Sequence, residues 1–217
     1  ESPDVASNHD LCYAKSTDGG LTWEKSTGEK YQLPINATNA EYALKIPQNS
    51  ELINQTSMAT DFSGNPYIVS YWVKQGDSIP QYQVVYKNGL TWEVKSLSFR
   101  KTDFTLSGGG TKKIPISRPQ IVVWKNKKNI AAAIIFRDIE RANKISIAIN
   151  KNMAINFWEC KDLTNYSVGE WEPSYDTALW QHKKRLALFV QNVTQIDGEG
   201  KANHQPTKVE VLIIKGL

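Results

Sequence analysis

The chain has 217 residues, 40% hydrophobic and 22% charged, with 7 Trp, 9 Tyr and 6 Phe, and this content excludes disorder because it can bury enough surface to offset ordering entropy. Its net charge of +4 is small and scattered. Lys127-Lys128 and Lys183-Lys184-Arg185 are short clusters, read as solvated loop charges, so no nucleic-acid partner is expected. The longest apolar run, 130–136, is strand-sized and far below the ~20 residues of a membrane span, so none is expected. Glu1 opens the chain without a charged segment leading into an apolar one, so a signal peptide is absent or removed.

In chain order, alternating or short apolar runs predict strands at 10–16, 66–72, 81–86, 120–124, 130–136, 144–149, 186–191 and 209–214. Gly, Asn, Pro and Lys punctuate them. The one helix candidate, 37–44, lacks an apolar stripe, so the chain reads as all-β. After the first strand, Ser16, Asp18, Gly20, Thr22 and Trp23 follow an S-x-D-x-G-x-T-W spacing. Ser16 and Asp18 suit the amides of a tight turn, Gly20 suits a positive φ, and Trp23 is expected to pack between neighbouring units.

The strands repeat as a unit. One copy runs over 57–100 ("NPYIVSYW", "QYQVVYKN", "LTWEVKS") and a second over 118–165 ("RPQIVVWKN", "NIAAAIIFRD", "NKISIAIN", "INFWECKDL"). An incomplete third occupies 171–217, with "EPSYDTALW" read as its inner strand. Residues 1–45 read as the second half of an earlier copy, with "HDLCYAKS" its third strand and "LTWEKS" its fourth. Four-stranded repeats of this length are propeller blades, and three to four blades fall short of a closed ring. The chain is therefore expected to be the C-terminal part of a single β-propeller domain, associated with a missing N-terminal half.

The turn at 16–23, with "LINQTSMATDFSGNPYIVSYW", "PQYQVVY", "PISRPQIVVW" and "WEPSYDTALW", resembles the BNR-repeat (Asp-box) seven-bladed propellers that act on polysaccharides, most of all the ulvan lyases. The resemblance implies a secreted or periplasmic bacterial polysaccharide lyase, with an acidic polysaccharide as partner. Such an enzyme neutralises a uronate carboxylate, removes the C5 proton and expels the 4-linked sugar. A rhamnosidase-like glycoside hydrolase of the same fold and a non-catalytic carbohydrate-binding propeller are the alternatives.

In such propellers the functional face carries the loops between blades and those between second and third strands. This picks out His9 as acid or base and Arg118, before Pro119, as a carboxylate clamp. The competing readings are a hydrogen-bonded turn histidine and a salt bridge to a neighbouring blade. Asn8, Asn54, Gln55, Gln81, Tyr82 and Arg137 are the expected substrate contacts, with Arg137 also placed to pair with Asp138 or Glu140. Glu172 occupies a neighbouring loop, and Tyr71, Trp72 and Trp180 read as packing between blades rather than sugar platforms. Cys12 and Cys160 are the only cysteines, read as buried free thiols, with a disulfide left open. No cofactor is required by the chemistry. Relatives holding a structural zinc or calcium ion make Cys12, Cys160 and His182 the local zinc ligands.

Overall fold

Period-two alternation becomes antiparallel sheet in a computed structural model that describes residues 4–54, 56–108, 110–198 and 200–217. β1 (Leu11–Tyr13) pairs with β2 (Glu41–Leu44). β3 (Ser57–Thr60), β4 (Pro66–Trp72), β5 (Gln81–Asn88) and β6 (Thr91–Leu97) then form a four-stranded meander. A second meander follows in β7 (Gln120–Asn126), β8 (Asn129–Asp138), β9 (Lys144–Asn150) and β10 (Glu159–Asp162). After helix α1 (Thr177–Lys183), β11 (Leu186–Gln191) pairs with β12 (Val209–Ile214). This is an all-β propeller fold, in which the described strands form two four-stranded and two two-stranded antiparallel sheets.

Parity along each strand decides which neighbouring blade a side chain meets. On β4, Tyr67, Val69 and Tyr71 pack toward the second meander, while Ile68 and Trp72 pack against Ala43, Ile46 and Leu52 of the first unit. On β8, Ala132, Ile134 and Phe136 face back to Tyr82 and Val84, while Ala133 and Ile135 face Leu186 and Leu188. The central strands of each meander are buried on both faces, which explains the nearly unbroken apolar text of 130–136. The β11–β12 sheet differs, leaving Phe189, Val209, Val211 and Ile213 exposed.

Residues 41–44, in the stretch that lacks a helical stripe, form β2, and side chains of Asn36 and Asn39 capture nearby backbone amides ahead of it. Two local expectations are corrected. "LTWEKS" contributes only the Lys15–Glu24 and Glu24–Lys30 bridges, and β2 takes the place beside β1. "EPSYDTALW" turns into α1, because the Asp176 carboxylate caps it by accepting the Leu179 N–H at 2.8 Å and Trp180 packs into the core. Only Tyr175 keeps a bridge, to Leu188.

The 16–23 turn makes a closed set of bonds. Ser16 Oγ accepts the Gly20 N–H at 2.8 Å, and Asp18 accepts the Thr22 N–H at 2.9 Å and its hydroxyl at 2.7 Å. Gly20 has φ +92°, and the Trp23 indole N–H donates to its carbonyl.

Candidate functional site

In a meander, alternate connections emerge at opposite ends. The β4–β5 and β8–β9 loops therefore share an end with the segments leading into β3 and β7. That end carries a cleft of about 310 Å³ walled by Val5, Asn54, Arg118, Arg137, Glu170 and Glu172. The long β6–β7 connection overhangs it and is stapled by acidic side chains from elsewhere in the chain. Glu140 accepts the Lys101 and Thr102 amides, and Glu51 accepts the Leu106 amide. Asp4 accepts the Gly108 amide at 2.9 Å, and Asp197 accepts the Lys113 amide.

Arg118 is held at the cleft wall by its own backbone, whose N–H donates to Glu172 Oε2 at 2.8 Å. Its guanidinium keeps one ion pair among the described residues, Nη1 to Glu172 Oε1 at 3.7 Å, which is too long for a hydrogen bond. Nε has no partner, and the side chain is 31% exposed. Burial raises the Glu172 carboxyl above its ordinary range, against the lowering effects of the Arg118 amide and guanidinium. Arg118 thus lines the cleft with no hydrogen bond from its guanidinium among the described residues. Behind it, the buried Tyr71 hydroxyl has no partner, and burial pushes its pKa well above normal despite the nearby charge of Arg118.

Arg137 lies under this site and is almost completely buried. It pairs with neither Asp138 nor Glu140, contrary to expectation. Nε donates to the Trp171 carbonyl, Nη1 to the Pro115 carbonyl and Asn143 Oδ1, and Nη2 to the Ile114 carbonyl. With each guanidinium nitrogen engaged, it stitches loops together rather than gripping a substrate. Its charge still adds positive potential beneath the cleft, because no described carboxylate forms an ion pair with it.

Three other expected contacts spend hydrogen-bonding groups on the protein itself. Tyr82 is wholly buried, and its hydroxyl donates to the Ser117 and Arg137 carbonyls at 3.0 and 3.2 Å. Gln81 spends its amide on the Arg100 backbone, donating to the carbonyl and accepting from the N–H. Asn8 donates to the Leu52 carbonyl at 2.9 Å. Asn54 is exposed at the cleft, whereas Gln55 lies outside the described residues.

His9 occupies a separate groove at the same end, with Asp10, Lys45, Gln48 and Gln75. Its Nδ1 lies 2.8 Å from Asp10 Oδ2, and Asp10 Oδ1 accepts the Ile46 N–H at 2.7 Å. The fold therefore does not bring His9 and Arg118 into one pocket.

The zinc set does not converge: Cys12 lies on β1, Cys160 on β10 and His182 on α1. Among the described residues no three His, Cys, Asp or Glu side chains could hold a metal ion. Both thiols are free, and Cys12 is exposed rather than buried. No helix among the described residues is long and apolar enough to cross a membrane.

A model of a BNR repeat-containing family matches residues 1–100. Among solved structures, the fold is similar to that of the polysaccharide lyase Uly1, with a TM-score of 0.53 and 14% sequence identity. The match covers 98% of this chain and 41% of the lyase chain, so this chain spans less than half the length of that structure. A search of curated proteins gave no match.

Proposed function

We propose that the chain forms part of a polysaccharide lyase that cleaves uronate-containing acidic polysaccharide, of the ulvan type with rhamnose–glucuronate linkages, by β-elimination. The observation that carries this reading is Arg118, a cation with unspent donors in a cleft underlain by a second buried cation. A uronate carboxylate seated there accepts a bidentate pair from Arg118. Neutralising that carboxylate stabilises the negative charge that develops when the C5 proton leaves. The electron pair then forms the C4–C5 double bond and expels the O4-linked sugar. Asn54 offers hydrogen bonds to hydroxyls of the same sugar.

Because His9 sits in the adjoining groove, the base for a sugar on Arg118 comes from further blades, and His9 contacts a neighbouring unit of the polymer. Such blades, as the N-terminal half of the ring, would also cover the exposed face of Phe189, Val209, Val211 and Ile213. A lyase of this kind acts outside the cytoplasm, on secreted or periplasmic substrate. No metal is needed for this chemistry.

Incubation of the intact protein with ulvan should raise ultraviolet absorbance from the unsaturated uronyl product. Arg118→Ala should lower kcat by roughly 10²–10³-fold, the usual loss on removing a charge-stabilising donor, whereas His9→Ala should act mainly on KM. No absorbance from intact protein overturns the reading. A hydrolase is the second reading, favoured by Glu170 and Glu172 sharing the cleft wall and by the raised Glu172 carboxyl. Cleavage products without ultraviolet absorbance would select it, and saccharide binding without cleavage would select a non-catalytic propeller.

A further inference from the structure

Lys184, from a cluster that reads as solvated loop charge, meets Lys125 in one groove of the fold. β3 and β7 start beside Asn54 and Arg118 and run away from the cleft, which places their far ends roughly 20 Å from it, at ~3.3 Å per residue. At that far end lies a groove of about 510 Å³, walled by Phe62, Trp124, Lys125, Tyr175, Trp180 and Lys184. Lys125 comes from β7 and Lys184 directly follows α1, so the 183–185 cluster reaches the groove and the 127–128 cluster lies just beyond Lys125 in the chain. Lys183, the last residue of α1, and Lys127, Lys128 and Arg185 are exposed close to these two lysines in the chain. Among the described residues none of these six cations forms an ion pair with a carboxylate.

Asp61 is the acidic side chain on the groove wall, and its own turn occupies it. Oδ1 accepts the Ser63 and Asn65 amides at 2.8 and 2.9 Å, and Oδ2 accepts the Asn65 side-chain amide at 3.0 Å. The lysines instead lie over rings, with Lys125 Nζ 5.0 Å from the centroid of Phe62 and Lys184 Nζ 5.6 Å from that of Trp180. Phe62 is 69% exposed, and its ring stands at the groove edge. Trp180 is buried edge-on against Trp124 at 6.0 Å, which fixes the groove floor.

We propose that this groove is a second binding site for an anionic polysaccharide, independent of the Arg118 cleft and of any reaction there. Uronate or sulfate groups pair with the lysines, displacing them from the rings. Phe62 then stacks on the apolar face of a sugar, and Thr60, Thr177 and Gln181 of the same wall meet its hydroxyls. Cations in two groups flanking an aromatic groove suit spaced charges on a sugar chain. A nucleic-acid surface would need a continuous basic track instead.

The test is affinity electrophoresis of the full chain through gels holding a polyuronate, neutral dextran or no polymer. An Arg118→Ala background removes the contribution of the other cleft. Retardation by the polyuronate alone is expected, and it should weaken as salt is added. Lys125→Gln with Lys184→Gln and Lys183→Gln should reduce affinity about tenfold, the scale expected for losing three exposed charge pairs. Phe62→Ala should also weaken it, while Lys125→Arg with Lys184→Arg should retain it. Circular dichroism establishes that each variant is folded. Equal retardation of the glutamine variants, no retardation of the parent, or displacement of the polyuronate by a charge-matched oligonucleotide at lower concentration would each overturn the proposal.

Discussion

Arg100, from the connection after β6, places Nη1 2.5 Å from Asp138 Oδ1 at the end of β8, with both side chains closed to solvent. The pair locks one blade to the next beside the cleft. Arg100 Nε also donates to the Pro80 carbonyl, and Nη2 to the Thr102 carbonyl. Burial outweighs the arginine in setting the Asp138 carboxyl, which is raised above its ordinary value of 3.8. The charge is therefore held at a desolvation cost, and its value lies in fixing where the blades meet.

Breaking this pair from one side should be severe. Arg100→Ala leaves Asp138 buried without a cation and should cost about 3–5 kcal/mol in urea unfolding. The double variant Arg100→Met with Asp138→Leu should recover much of that loss. Equal loss in the single and double variants would show that Arg100 acts through its carbonyl contacts.

Tyr82 offers a test of position rather than chemistry. Its hydroxyl bonds the carbonyls of Ser117 and Arg137 inside the core. Tyr82→Phe should cost about 1–2 kcal/mol in thermal or urea unfolding, the range for a lost buried hydrogen bond. It should leave the KM for any saccharide unchanged. A KM shift without a stability shift would return Tyr82 to the substrate face.

These outcomes trace what the sequence could carry. The blade strands were legible because each blade face packs on a neighbour, so period two and apolar runs survive in the text. The Arg118 position was legible because an arginine before Pro119 must stand just outside an inner strand. Arg137 and Tyr82 were misplaced for one reason. At a strand end, accessibility depends on what the next blade supplies, and here that is carbonyls from 114, 115, 117 and 171. The stapled β6–β7 connection left no local signal, since its acidic partners lie as far as 39 and 104 residues away. Asp176 caps α1 from just before Thr-Ala-Leu, where the blade repeat predicts a third inner strand, because the local cap and the burial of Trp180 override the repeat.

Gly169 shows how closely the last unit approaches the second blade. It has φ +61°, and an added Cβ would lie 2.0 Å from the Val193 carbonyl oxygen. The neighbouring Glu170 N–H donates to that same carbonyl at 2.8 Å. Neither the conformation nor the space admits a side chain. Gly169→Ala should therefore destabilise by about 1–3 kcal/mol, as overpacking does, and raise hydrogen exchange at the amides of Glu170 and Val193. A neutral melting temperature would mean that the two segments separate without cost.

The 16–23 turn gives a pH prediction whose sign is fixed by its hydrogen bonds. The Asp18 carboxyl is lowered from 3.8 to about 2, first by the Thr22 N–H, then by the Thr22 and Ser16 hydroxyls. All three donate to the charged form, so the folded turn holds its proton less tightly than the unfolded chain does. The contribution of Asp18 to stability is fully present above pH 3.8 and is lost as pH falls through about 2. The Thr22 amide resonance should titrate with a midpoint near 2, and Asp18→Asn should abolish that transition. The same variant should flatten the acid limb of turn stability, because a neutral amide cannot exchange protons between the two states. A Thr22 midpoint at the ordinary carboxyl value would mean that the hydrogen-bonded turn does not persist in solution.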